Sequence, residues 1–272
     1  MVFGFVLFTV FASAQQLYIS NEPKKSLELL NLANSQITTL YTATADLDDL
    51  TLNSAGQLIY SIPSLGEVDL YDPVAKTNKV LVTGLKYARD LEIEPGGQTM
   101  LIAIYTGGKI MRYNFTTGTT TLLVQKLGTC DGITYDPYGN LYAVANHNTI
   151  VQINPATGAV LKTLVLEPHQ GVNGGDGLTY DPYTGSLWAT HDGTLGFGVL
   201  QIPVSASGFS SSFSLYLTPG VTALDGIKSD GKGNLYIGAI HTLAVYNIPT
   251  NTVTKDIVVN GADGVSLVPG TY

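Results

Sequence analysis

The chain has 272 residues, of which 44% are hydrophobic and 12% are charged, and this composition excludes an intrinsically disordered protein. Acidic residues outnumber basic ones by 21 to 13, and no Lys/Arg cluster could follow a phosphate backbone, so nucleic acid and anionic membranes are not expected partners. The sequence contains thirty glycines and sixteen tyrosines and shows little helical periodicity. These features favour strands joined by tight turns.

The first predicted element is a signal peptide at residues 1–14. An apolar run that begins at Met1 ends in Ala12-Ser13-Ala14, which is the small-x-small pattern of a signal peptidase site. The run is too short to span a bilayer. We therefore expect a secreted protein that has no membrane association after cleavage and whose residues 15–272 form a single domain. A buried first strand is the alternative interpretation of this segment.

A repeated unit that begins with Asp follows along the rest of the chain. Clear copies are DGITYDPYGNLYAVA from Asp131, DGLTYDPYTGSLWAT from Asp176 and DGIKSDGKGNLYIGA from Asp225. Weaker copies begin at Asp49 and Asp90, and a truncated copy, DGVSLVPGTY, begins at Asp263. Successive copies start 38 to 49 residues apart, which matches the length of a four-stranded propeller blade.

Each complete unit is predicted to contain four strands, A to D, separated by turns rich in Gly, Pro, Asn and Thr. The segment from Gln16 supplies strands B, C and D of a further unit, but no strand A. The fragment from Asp263 supplies the missing strand A. The sequence therefore predicts an all-β, six-bladed β-propeller with four-stranded blades, closed by pairing of the C-terminal strand with the N-terminal strands.

The pattern DG-x(3)-DP-x-GNLY resembles the senescence marker protein/gluconolactonase superfamily, whose relatives include strictosidine synthase-like and NHL-type propellers. In the metal-dependent lactonases of that superfamily, a divalent ion is held by acidic and amide residues at the start of the innermost strands. The resemblance implies that the matching positions here are metal ligands, namely Asp49, Asp90, Asp131, Asp176, Asp225 and Asp263. The lactonases use a mixed set of Glu, Asn and Asp, whereas this sequence offers only Asp.

The predicted topology gathers these aspartates and the histidines on one face, because strand A starts and strand B ends open on the same side of a propeller. Imidazole beside carboxylate is a composition typical of metal sites and of acid/base sites. We expect His147, His191, His241 and Asp176 to be catalytic, and Tyr105, Asn146 and His169 to bind substrate. The expected cofactor is Ca²⁺, Mg²⁺, Mn²⁺ or Zn²⁺, and no nucleotide motif is present.

Structural interpretations of the same residues stay open. An Asp at a strand start can simply accept local backbone hydrogen bonds, and a loop histidine can be solvated. The single cysteine, Cys130, excludes an internal disulfide and is expected to be a small buried residue. Asn114-Phe115-Thr116 is a candidate glycosylation site.

Three functions are compatible with this sequence. The first is a secreted enzyme that acts on a small organic molecule at the mouth of the central channel, such as a divalent-cation-dependent lactonase or esterase. The second is a metal-independent lyase, isomerase or pericyclase of secondary metabolism, including cyclases and Diels–Alderase-like enzymes. The third is a non-catalytic secreted binding module. In each case we expect a monomer whose partner is a small molecule.

Overall fold

The protein is described by a computed structural model over residues 15–166, 171 and 174–271. The predicted signal peptide at 1–14 and His169 lie outside the described residues. Within the described ranges, all regular elements are β-strands, arranged as the six antiparallel blades of a propeller. The predicted all-β, six-bladed fold is confirmed. No helix of the described part is long and apolar enough to cross a membrane.

The strands follow one another around the ring in chain order. Blade 1 begins with β1 (Gln16–Asn21), β2 (Ser26–Asn31) and β3 (Gln36–Thr42). Blade 2 contains β4 (Leu50–Leu52), β5 (Leu58–Ile62), β6 (Glu67–Asp72) and β7 (Thr77–Val82). Blade 3 contains β8 (Ala88–Ile93), β9 (Thr99–Ile104), β10 (Lys109–Asn114) and β11 (Thr119–Val124). Blade 4 contains β12 (Cys130–Tyr135), β13 (Leu141–Ala145), β14 (Thr149–Ile153) and β15 (Val160–Val165).

Blade 5 has one additional short strand. It contains β16 (Leu178–Asp181), β17 (Ser186–His191), β18 (Gly198–Ser205), β19 (Gly208–Phe209) and β20 (Ser214–Leu217). Blade 6 contains β21 (Leu224–Ser229), β22 (Asn234–Ala239), β23 (Thr242–Asn247) and β24 (Thr252–Val258). The last strand, β25 (Ala262–Leu267), completes blade 1.

Blade packing explains the hydrophobic pattern of the strands. The second strands of blades 2, 4 and 5, which are β5, β13 and β17, are buried along their whole length because blades cover them on both faces. The large side chains of Tyr142, Trp188 and Tyr236 are almost completely buried between blades. The outer strands, such as β7 and β15, are mostly exposed.

The DP-x-GNLY part of the repeat stabilises the turn between the first two strands of a blade. In blade 4, Asp136 Oδ1 accepts hydrogen bonds from the backbone N–H groups of Tyr138 (2.9 Å) and Asn140 (3.0 Å). Its Oδ2 accepts from the Tyr142 hydroxyl at 2.7 Å. Asp230 makes the corresponding turn contacts in blade 6. This half of the motif is therefore architectural.

The Asp-Gly pairs let the innermost strands approach each other around the channel. A Cβ added at Gly132 would lie 2.5 Å from the Asp176 carbonyl oxygen. One added at Gly226 would lie 2.3 Å from the Asp263 carbonyl oxygen. Only glycine fits this close approach, and the approach brings together the aspartates that precede the glycines.

Pairing of β25 with β1 closes the ring, as the sequence predicts. The two strands are antiparallel, with Leu17 opposite Leu267 and Ile19 opposite Val265. The Ser20 hydroxyl also accepts a hydrogen bond from the Gly264 N–H at 2.7 Å. Ile19 and Val265 are buried in a core cluster shared with blade 6, so closure adds both ladder bonds and apolar burial.

Deletion of residues 263–272 tests this closure. The loss of the ladder hydrogen bonds and of the buried apolar area should lower the free energy of unfolding by about 3 kcal/mol or more. Urea denaturation of the truncated and full-length proteins measures the difference. A shorter deletion, 268–272, keeps β25 and is the matched control. Equal midpoints for the long deletion and the intact chain would contradict the closure.

Candidate functional site

The central channel contains a small cavity surrounded by acidic side chains. Its volume is about 40 Å³, which is room for roughly three water molecules or an ion. The six aspartates of the repeat line it: Asp49, Asp90, Asp131, Asp176, Asp225 and Asp263. Asp48 also lines it, and the lining contains two permanent cations, Arg89 and Lys228. Seven carboxyl groups therefore face two cationic side chains in a narrow space.

Asp49 and Asp90 have backbone partners in the neighbouring innermost strands. Asp49 Oδ2 accepts from the Leu91 N–H at 3.1 Å, and Asp90 Oδ1 accepts from the same N–H at 2.7 Å. Asp90 Oδ2 accepts from the Ile133 N–H. Burial and the nearby Asp90 carboxylate hold the pKa of Asp49 well above its ordinary value. These two aspartates tie adjacent blades together.

Lys228 brings a positive charge from blade 6 to the acidic groups of blades 2 and 3. Its Nζ lies 3.8 Å from Glu92 Oε2. Burial raises the pKa of Glu92 to about 7, against the opposing effect of Lys228. Burial lowers the pKa of Lys228, but Glu92, Asp90 and Asp49 together raise it above its ordinary value. Lys228 thus remains charged and is an internal counter-ion.

Arg89 is the second internal cation and lies on the side of the channel that carries His147. Its guanidinium pairs with the buried Asp48 carboxylate. The Arg89 Cζ lies 5.4 Å from the centre of the Tyr105 ring, within the range of a cation–π contact. Burial raises the pKa of Asp48 to about 6, although Arg89 opposes the shift.

His147 lies between Tyr105 and two of the aspartates. The Tyr105 hydroxyl is 2.9 Å from His147 Nε2. On the other side of the ring, His147 Nδ1 is 3.3 Å from Asp176 Oδ1 and 3.8 Å from Asp131 Oδ2. The hydrogen bond with Asp176 raises the pKa of His147, whereas burial, followed by the charge of Asp176, raises the pKa of Asp131 to about 7.

The turn that carries His147 holds an uncommon backbone conformation. Asn146 and His147 have φ angles of +52° and +56°, in the left-handed region that non-glycine residues seldom adopt. Asn146 Oδ1 accepts a hydrogen bond from the Thr129 N–H at 3.2 Å, which anchors the turn to the connection before β12. The side chain of Asn146 therefore anchors the turn that carries His147, and a substrate-binding role for Asn146 stays a prediction.

The other histidines are placed differently. His191 is fully buried at the end of β17, and His241 is exposed in the connection between β22 and β23. His147 is the histidine whose ring nitrogen lies within ion-pair distance of the channel residues Asp131 and Asp176. Catalytic roles for His191 and His241, and a substrate-binding role for His169, stay predictions.

Two further sequence expectations concern residues outside the channel mouth. Asn114 ends β10, and its Oδ1 accepts from the N–H groups of Thr116 and Thr117, both at 2.9 Å, in an exposed turn. Glycosylation at Asn114 stays a prediction. Cys130 is completely buried, and burial raises the pKa of its thiol.

Asp48, Arg89 and Lys228 line the channel but were not predicted from the sequence. Asp48 and Arg89 each precede an aspartate of the repeat, so the neighbouring position was a usable signal. Lys228, like Glu92, is a charged residue inside an innermost strand, where a solvated charge is not expected. Their pairing across the channel depends on the distance between blades, which the sequence does not specify.

Comparisons with known proteins identify the fold. No family model matches the chain, and no curated protein matches it. A chain of the nidogen/laminin complex is similar with a TM-score of 0.75 and 14% identity, over 94% of this chain and 98% of that one. A hydrazine synthase chain from Kuenenia stuttgartiensis has a TM-score of 0.69 and 15% identity, over 97% and 92%. Virginiamycin B lyase from Staphylococcus aureus has a TM-score of 0.64 and 15% identity, over 94% and 89%.

These similarities, at such low identity, support the six-bladed propeller architecture and no finer relationship. The resemblance to the gluconolactonase superfamily remains an expectation from sequence. The functional interpretation must therefore come from the side chains at the channel mouth.

The buried carboxyl groups predict an unusual dependence of stability on pH. Burial raises the pKa of Asp48 to about 6, of Glu92 to about 7 and, with the nearby Asp225, of Asp263 to about 10. Each group keeps its proton in the folded state at pH values where the unfolded chain has lost it, so stability should fall as pH rises. Between pH 5 and pH 8 the free energy of unfolding should decrease by at least about 1 kcal/mol.

Urea denaturation in metal-free buffer at both pH values measures this decrease. The Asp263→Asn variant should show a smaller one, because an amide has no proton to lose. A wild-type protein that gains stability over this range would contradict the assignment of raised pKa values.

Proposed function

We propose that the channel mouth is the active site of an enzyme that acts on a small organic molecule with the help of a divalent cation. The cation ligands would be Asp131, His147 and Asp176. Lactones and esters are the substrate classes that this chemistry suits best, because a carbonyl can be polarised by the cation. An extracytoplasmic location belongs to the proposal and rests on the predicted signal peptide.

The observation that carries the proposal is the convergence of these three side chains. One ligand atom from each lies within 4.8 Å of the others. Asp131 Oδ2, the oxygen that faces His147, is buried and has no hydrogen-bond partner among the described residues. A buried carboxylate oxygen without a partner is unfavourable, and a cation would compensate it. The residues therefore fit a metal ion, and the imidazole favours Zn²⁺ or Mn²⁺ over Ca²⁺.

The protein's own groups prepare this site. Tyr105, by its hydrogen bond to Nε2, orients the His147 ring so that Nδ1 faces the two carboxylates. Arg89 remains paired with Asp48 and limits the negative charge beside the site. A bound cation would supply a Lewis acid or lower the pKa of a water molecule.

The channel itself is too small for an organic substrate, but the mouth offers more room. A cavity of about 170 Å³ is lined by residues that include Asp48, Tyr87 and Arg89. A second cavity, of about 210 Å³, includes Asp176 in its lining. A substrate in the second cavity would reach the proposed cation site through Asp176. Small molecules therefore fit the geometry better than polymers.

A second candidate function is metal-independent acid/base catalysis by His147. The 3.3 Å approach of Asp176 to Nδ1 stabilises the protonated imidazole, and Tyr105 at Nε2 could pass a proton to or from substrate. This arrangement would suit a lyase or isomerase, and one structural neighbour is by name a lyase. Another neighbour belongs to the nidogen/laminin complex, which keeps the binding-module alternative open.

A cation titration tests the first proposal. After chelation, Mn²⁺ or Zn²⁺ should raise the melting temperature of the wild type in a concentration-dependent way, because the ion binds the native state. Asp131→Asn removes one of three ligands and should raise the midpoint concentration at least about tenfold. Asp90→Asn is the matched control, because it occupies the same repeat position but bonds backbone amides. Its midpoint should stay close to that of wild type.

No response of the wild type to any divalent cation would contradict a metal site. Equal responses of the Asp131→Asn and Asp90→Asn variants would contradict its placement.

Turnover of a panel of lactones and aryl esters separates the two enzymatic candidates. In the cation-dependent enzyme, chelation and Asp131→Asn both abolish turnover, whereas Tyr105→Phe reduces kcat about tenfold by loosening His147. In the metal-independent enzyme, chelation has no effect and Tyr105→Phe and His147→Gln both reduce kcat by about a hundredfold or more. A protein that binds the cation but turns over no member of the panel would favour the binding module.

A further inference from the structure

The larger cavity at the mouth, here named the side cavity, is strongly acidic. Five carboxyl side chains line it, namely Glu22, Asp176, Asp192, Asp225 and Asp263. Among the described residues that line the side cavity there is no Lys or Arg. Its charge is therefore not balanced by its own walls. A ligand that enters it meets a negative potential.

Asp263 is the most informative of these carboxyl groups. Its residue is only 9% exposed, and it lines both the channel cavity and the side cavity. Within the described ranges no side-chain or backbone donor hydrogen-bonds to its carboxyl group, in contrast to Asp49 and Asp90. Because this carboxyl group opens into a cavity and accepts no hydrogen bond from the described part of the chain, it is accessible to a donor from outside the chain.

Asp225 lies beside Asp263 and adds a second acceptor. Its charge is, after burial, the main factor that raises the pKa of Asp263. The innermost strands that carry the two residues are in close contact, since a Cβ at Gly226 would touch the Asp263 carbonyl oxygen. Two like charges so close together favour either a proton or a cation between them.

The side cavity also has an apolar wall. Pro23, Ala223, Leu224 and Ile240 contribute to its lining, and the Ile240 side chain is 53% exposed at the rim. Apolar contacts do not help to bind a hydrated metal ion, whereas they stabilise the carbon chain of an organic cation. The only three-ligand metal cluster in the described part of the chain contains neither Asp225 nor Asp263. The side cavity therefore suits an organic cation.

We infer that the side cavity binds the ammonium group of an organic ligand, with Asp225 and Asp263 as acceptors and Leu224 and Ile240 against the adjoining carbon chain. The inference rests on the proposed function and narrows its substrate to an amine-bearing molecule. Asp176 lines both the side cavity and the cation site, so a ligand held at Asp225 and Asp263 would extend toward the reacting centre.

Calorimetric titration with n-butylammonium, and with neutral n-butanol as its isostere, tests the inference at pH 7. Wild type should bind n-butylammonium and not n-butanol. Asp263→Asn and Asp225→Asn should each weaken binding at least about tenfold, since each removes a carboxyl group that can release its proton when the ammonium group enters and then accept a charge-assisted hydrogen bond from it. Ile240→Ser should weaken it about threefold through lost apolar contact. Asp46→Asn is the matched control, because Asp46 is an exposed acid of the other mouth cavity, and it should not change binding.

The asparagine variants should fold, because an amide has nearly the shape of a protonated carboxyl group, and the melting temperature verifies this. If one of them does not fold, n-butylammonium binding by the other and by Ile240→Ser still tests the inference. Equal binding by wild type and all folded variants, or absence of n-butylammonium binding to wild type, would overturn the inference.

The same variants separate this inference from the proposed function. Asp263→Asn should keep the wild-type response to Mn²⁺, and Asp131→Asn should keep n-butylammonium binding within about threefold, because the ligand sets differ. Ammonium binding without any Mn²⁺ response would support the side cavity and contradict the metal site. A Mn²⁺ response without ammonium binding would support the metal site and contradict ammonium binding in the side cavity.

Discussion

Electrostatic repulsion among carboxyl groups in the central channel is the constraint on which the site depends. The propeller brings one aspartate from each innermost strand to a common axis, and the Asp-Gly pairs allow a closer approach than any other residue could. Like charges in a space of about 40 Å³ cannot all stay ionised without compensation. The fold therefore creates the repulsion among the carboxyl groups. The differences between blades determine how the negative charge of each carboxyl group is compensated.

The negative charges of the six channel aspartates are compensated in three different ways. Asp49 and Asp90 accept backbone hydrogen bonds and lie near Lys228, so they contribute to blade cohesion. Asp131 and Asp176 face an oriented imidazole and leave one buried oxygen without a partner, which favours a metal ion. Asp225 and Asp263 lie beside each other at an open cavity, and the charge of Arg89 opposes their raised pKa values only in part, which favours a proton or an organic cation. The repeat is regular in sequence, but its chemistry is not.

The fold could be predicted from sequence because it depends on local patterns that recur. The spacing of the Asp-started units predicts the blades, and the missing first strand of the N-terminal unit predicts closure by β25. The cluster of His147 with Asp131 and Asp176 could be anticipated only as a neighbourhood. Arg89 and Lys228 were missed because their pairing crosses the channel between distant blades, and no periodic pattern records such distances. The burial of His191 at the end of β17 also depends on packing between blades, which the sequence pattern does not record.

Anomalous diffraction from crystals grown with Mn²⁺ is the most direct test of this division of the ring. We expect a single strong anomalous peak in the channel region, bounded by Asp131, His147 and Asp176, with none between Asp49 and Asp90. A peak on the channel axis that is shared by all six aspartates would contradict the division. A channel without any manganese peak at saturating Mn²⁺ would contradict the cation site itself.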